Sequence, residues 1–88
     1  MQAFRAKGRV AKAALAQGSA DTVGLHLAIG ESETLLSEYK EALASFETAA
    51  ALAGPEQAAA IDHRLGQVYH RLGEWDLAAS YYQTALSL

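Results

Sequence analysis

Small and apolar residues recur along this chain with a period of 36. Ala6, Ala42 and Ala78 fall at one position of the repeat, Val10, Phe46 and Tyr82 at a second, and Ala13, Ala49 and Ala85 at a third. Ile29 pairs with Leu65, Gly30 with Gly66, Leu36 with Leu72, Tyr39 with Trp75 and Gly18 with Gly54 at the same offset. Within one copy the spacing is helical. Ala42, Phe46 and Ala49 stand at i, i+4 and i+7, which is one face of a helix, and no stretch alternates cleanly over strand length. Each copy therefore predicts two helices, A then B, joined by a tight turn. The expected helices are 2–17 (B of a partial repeat), 21–36 (A), 38–53 (B), 56–72 (A) and 74–87 (B). The expected fold class is all-α, five helices in tandem antiparallel hairpins that form an α-solenoid. One domain is expected over 1–88, with 1–18 a partial repeat, 19–54 the first full repeat and 55–88 the second.

The breaks agree with this division. Gly73 follows Leu72, where a helix end favours a residue that tolerates positive φ. Ser37 holds that place in the earlier copy and is expected to turn less sharply. Gly54 suits a helix end and Pro55 the first position of the next helix. Asp21, after Gly18-Ser19, suits an N-cap. Gly30 and Gly66 strip a side chain from the inner face of helix A, and the alanines do the same on helix B. Phe46 and Tyr82 are then expected to fill the space between successive hairpins, and Tyr39 and Trp75 to cap the end of each pair. This alternation of small and large residues has the form of an interdigitated core.

At these residues the chain resembles the tetratricopeptide repeat family. Leu65-Gly66-x-x-Tyr69, Leu72-Gly73-x-Trp75-x-x-Ala78, then Tyr82 and Ala85, look like its signature. The copy at 23–54 matches through Ile29-Gly30, Leu36, Tyr39, Ala42, Phe46 and Ala49. It departs at Glu33, where the family prefers an aromatic or large apolar residue, and at Ser37, where it prefers glycine. The usual period is about 34 residues; the longer period here resembles repeats of bacterial regulators and signalling scaffolds.

The resemblance implies a concave groove lined by the A helices, in which ligands are often peptides. Carried over, the groove residues are Leu27, Glu31, Thr34 and Leu35 from one A helix and His63, Arg64, Gln67, His70 and Arg71 from the next. That gives one apolar and acidic wall and one basic, histidine-bearing wall, suited to an extended or helical segment of mixed charge. The competing reading is a set of solvated helix faces paired between repeats. Chaperone-binding relatives clamp a C-terminal carboxylate with Lys and Asn side chains; here Leu27 and Glu31 hold those places, which argues against that ligand.

Composition narrows the chemistry. The chain has no cysteine, so disulfides and thiolate metal sites are excluded. No apolar run approaches the roughly 20 residues of a membrane span. Net charge is −3, and the acidic balance past residue 12 is the reverse of what nucleic-acid binding favours. His63 and His70 are seven apart, about 10.5 Å along a helix, too far for one metal ion to join readily. Asp62 and His63 are neighbours pointing to different sides of a helix. No nucleophile motif or phosphate loop appears. No enzyme activity, cofactor, metal, nucleic acid or membrane partner is therefore expected.

Arg5, Arg9 and Lys12 form a basic stripe at i, i+4, i+7, read either as a solvated face or as an anchor for an acidic partner. Met1 aligns with Ser37 and Gly73, so the chain begins at an inter-helix turn. It ends with Leu77, Tyr81, Leu86 and Leu88 close to the terminus, where an uncovered last helix is expected to leave an apolar patch. Either a longer protein or a second copy would cover it. The functional expectation is a protein–protein interaction module, cytoplasmic and part of a larger scaffold or regulator. The alternative is a structural spacer or homo-oligomer built through uncapped ends.

Overall fold

The computed structural model describes residues 2–18 and 21–87. They form α1 (Gln2–Ala16), α2 (Thr22–Leu35), α3 (Tyr39–Leu52), α4 (Pro55–Arg71) and α5 (Trp75–Ser87). Expected and observed boundaries differ by at most one residue at each end. Met1, Ser19 and Leu88, which carried part of the reading of the turns and ends, lie outside the described residues.

Local chemistry starts and stops these helices. The Asp21 carboxylate accepts the Gly24 N–H at 3.1 Å and so caps α2. Pro55 opens α4, where its missing N–H removes no helical bond. Directly after Ala53, the C-cap of α3, Gly54 serves as the N-cap of α4 in extended backbone. Its N–H reaches the Gln57 Oε1 at 3.4 Å, and its carbonyl accepts the Gln57 N–H at 3.1 Å.

The two hairpin turns are alike, contrary to the expectation for Ser37. Gly73 has φ +78° and Ser37 has φ +62°. In the first turn the Glu38 N–H donates to the Glu33 carbonyl at 2.8 Å; in the second the Glu74 N–H donates to the Tyr69 carbonyl at 2.9 Å. The same bonding pattern closes both, so the serine is forced into the left-handed region that glycine enters freely.

The molecule is a slab with extents of 36 × 29 × 16 Å, which leaves room for a single layer of side chains between helices. That layer holds Val23, Ala42, Phe46, Ala49, Ile61, Leu65 and Val68, all buried. Phe46 lies over Gly30, where an added Cβ would come within 2.5 Å of the ring, and Tyr82 lies over Gly66 at 2.7 Å by the same measure. Each ring therefore packs between A and B of its own hairpin, and Phe46 also belongs to the buried cluster with Ile61, Leu65 and Val68 of the next hairpin. Tyr69 and Tyr81 stack at 5.4 Å, an 11° angle between planes, which places Tyr81 against α4 and outside the expected terminal patch. Burial, then the nearby Tyr81, Glu47 and Glu74, raises the Tyr69 pKa above its ordinary value. Trp75 is 62% exposed and meets the His70 ring edge-on at 4.8 Å, outside the core cluster on which Tyr39 packs.

Helix α1 departs from the repeat in its rotation. Val10, the counterpart of Phe46 and Tyr82, is 69% exposed, while Gly8 and Ala11 are buried. The counterparts Phe46 and Tyr82 each cover the A helix of their own hairpin, whereas α1 packs on the helix that follows it. It turns another face to α2 instead. Gly8 permits a close approach to Ser32, whose hydroxyl donates to the Phe4 carbonyl. The resulting α1–α2 interface is more extensive than that between α3 and α4.

Candidate functional site

Helices α2 and α4 lie on the same side of the slab, and their facing residues follow from helical spacing. Glu31, Thr34 and Leu35 come from α2; Arg64, Gln67, His70 and Arg71 come from α4. Together they line a cleft of about 400 Å³ floored by Phe46 and Tyr82. His63 is not part of it. It lines a second cleft of about 750 Å³ with Ala59, Ala60, Ala85 and Leu86, and packs on the Tyr82 ring at 5.5 Å. Arg64, Gln67 and Tyr82 border both clefts, so the two form one continuous groove. Leu27 lies in neither; it packs against the core.

Several of these side chains already have partners. Glu31 is held from both sides, by Lys7 Nζ on one carboxylate oxygen at 2.7 Å and by Arg64 Nη2 on the other at 2.8 Å. The expected acidic wall is thereby neutralised. Pairs this exposed contribute about 0.2–1 kcal/mol each. The Thr34 hydroxyl donates to the Gly30 carbonyl at 2.8 Å and has no donor left for a ligand. Leu35 is 44% exposed and offers an apolar contact. The Ser37 hydroxyl and then the Arg71 guanidinium lower the Tyr39 pKa from its ordinary value, which sets the Arg71 head beside the α2–α3 turn.

The floor rings were absent from the sequence-derived site. Their signal was present: a glycine on helix A with an aromatic residue 16 positions later, as in Gly30 with Phe46 and Gly66 with Tyr82. With no Cβ on the glycine, the ring reaches past helix A to the groove side.

The basic stripe borders another cleft, about 360 Å³, between α1 and α2. Arg5, Arg9 and Lys12 face Glu33 and Glu38 across it. Glu33, the departure from the family pattern, is buried, with its Oε1 accepting the Ser45 hydroxyl at 2.6 Å. A hydrogen bond to α3 thus satisfies an acid where an apolar residue was expected.

Among the described residues, no group of three or more His, Cys, Asp and Glu is placed to hold a metal ion. His63 and His70 each engage a different aromatic ring. No helix among the described residues is long and apolar enough to cross a membrane.

Comparison with known proteins completes this picture. Searches of curated proteins and of solved structures found no match. The family model described as "Tetratricopeptide repeat" matches residues 21–88, both hairpins from the α2 cap onward. Repeats of that kind generally mediate protein–protein interaction and are not catalytic. With the glycine-seated aromatics, the two matching turns and this match over most of its length, the chain belongs to the tetratricopeptide repeat family.

Proposed function

We propose that the groove across α2 and α4 binds a peptide or helix of a partner protein, and that the chain serves as the interaction part of a larger cytoplasmic scaffold or regulator. The observation that carries this reading is the continuity of the groove. Two clefts share Arg64, Gln67 and Tyr82, and their combined lining offers charged, amide, aromatic and aliphatic groups on one face. Peptide-sized ligands are held by such mixed surfaces, with apolar contact for affinity and a few polar groups for orientation.

The test is a pull-down from the host organism with the parent chain and with a His63→Ala, Gln67→Ala, His70→Ala triple variant. All three side chains are exposed at the groove, so the helical content of the variant should match the parent by circular dichroism. The groove reading expects partners to be lost. An unchanged set of partners would show the groove to be unused.

A second reading has its own support. Val10, Trp75, Leu77 and Leu86 are exposed on the two outermost helices, with Leu86 at 88%. Apolar groups at both ends of the slab favour a spacer or self-association element that joins through its ends.

A further inference from the structure

The two halves of the groove differ in chemistry, and the difference is directional. In the cleft nearer the α2–α3 turn, Arg64 and Arg71 face a single carboxylate, Glu31, whose two oxygens are already taken by Lys7 and Arg64. No other carboxylate lines either cleft. The concentration of cations is notable in a chain of net charge −3. Past residue 12 its basic residues are Lys40, Arg64 and Arg71, and two of them stand here. A ligand carboxylate arriving at this end meets cations in excess. A ligand ammonium would have to compete for Glu31 against two groups already bound to it.

The other cleft is apolar. Ala59, Ala60 and Ala85 form a shelf of small side chains, flanked by Tyr82 and by the exposed Leu86. Small residues leave depth for a large apolar side chain of the ligand. Between the two halves stands Gln67, exposed and with no side-chain hydrogen bond among the described residues. Its amide can donate to and accept from a peptide backbone.

Resting on the groove reading above, we infer that the occupant is an extended acidic segment of a partner protein, bound in one direction. Its carboxylates lie against Arg71 and Arg64, and a large apolar side chain rests on the Ala59–Ala60–Ala85 shelf. Ala60 and Arg71 are eleven positions apart on α4, about 16 Å along the axis. An extended peptide covers that distance in about five residues. The recognition pattern is therefore a pair of acidic residues and a large apolar residue about five positions away, with Gln67 holding the backbone between them.

The experiment is fluorescence anisotropy with the full chain and a labelled synthetic peptide of about nine residues, carrying two glutamates, a Ser/Gly spacer and a Leu-Phe pair at the extended spacing. Control peptides replace the glutamates by glutamine or by lysine, or shorten the spacer. The acidic peptide should bind at least about tenfold more tightly than the lysine peptide, roughly 1.4 kcal/mol in binding free energy. Its advantage should shrink with added salt. Arg71→Gln should reduce it to the affinity of the glutamine peptide. Ala60→Glu should remove the contribution of the Leu-Phe end. Equal binding of acidic, neutral and basic peptides, or an unchanged affinity in Arg71→Gln, overturns the acidic-segment assignment and leaves the groove reading standing. So does the absence of any binding up to about 1 mM when the triple groove variant still loses its host partners. If no peptide binds and the triple variant keeps its partners, both readings fall.

Discussion

Ser37 stands at φ +62°, where its counterpart Gly73 stands at +78°. A side chain in the left-handed region meets its own carbonyl and costs about 1–2 kcal/mol. Two backbone bonds hold it there, from Ser37 N–H to Thr34 at 3.1 Å and from Glu38 N–H to Glu33 at 2.8 Å. Ser37→Gly should therefore stabilise the chain. The gain is reduced by the greater freedom of glycine in the unfolded state, leaving about 0.5–1 kcal/mol, visible as a higher urea midpoint with an unchanged slope. A lower midpoint would mean that the weak Ser37–Tyr39 hydroxyl contact at 3.5 Å outweighs the strain. Residue preference alone pointed to a looser turn at Ser37. It failed because the tertiary seating of the hairpin fixes the backbone, and a serine is carried along. Glu33 is the reverse case: an apparent misfit whose partner, Ser45, lies on another helix and is not paired with it by any local pattern.

At the level of elements, the packing of ring on glycine sets what each hairpin tolerates. Adding a Cβ at Gly30 meets Phe46, which is 1% exposed and enclosed, whereas at Gly66 it meets Tyr82, which is half-exposed and has room to swing. Alanine gains up to about 1 kcal/mol over glycine in a helix interior, while overpacking a filled core costs about 1–3 kcal/mol. Gly30→Ala should thus be destabilising, and Gly66→Ala close to neutral; thermal or urea melts of the two variants decide it. Equal effects would mean that Phe46 yields as easily as Tyr82. The helices themselves were legible to within one residue, because apolar spacing and the signals at Asp21, Pro55 and Gly73 are local. The rotation of α1 was not. Which face a helix buries depends on what stands opposite, and Val10, aligned by the repeat with Phe46 and Tyr82, is exposed while α2 receives Gly8 and Ala11.

For the whole molecule, contacts through the groove and contacts through the ends make separable predictions. The self-association reading predicts a mass that rises above 9.3 kDa with concentration. It also predicts that Leu77→Glu together with Leu86→Glu reverses the rise. Light scattering after size exclusion reads this directly, and a constant 9.3 kDa up to about 50 μM removes the ends as a strong contact. Of the groove, the side chains on helical spacing from Glu31 to Leu35 and from Arg64 to Arg71 were legible, since family geometry carries over position by position. Leu27, turned to the core, and the floor rings were not, because depth across a slab has no signature along one helix.

The pair between Glu31 and Arg64 has a mechanical consequence. The hairpins have tightly fitted interiors, and the seam between α3 and α4 is thinner than the interfaces within either hairpin or between α1 and α2. Bending of the array concentrates at that seam, as flexure in a hinge plate falls on its narrowest line. The Glu31–Arg64 bond spans it on the groove side at 2.8 Å and acts as a clasp. If the segment proposed above draws Arg64 away, that tie between the hairpins is lost.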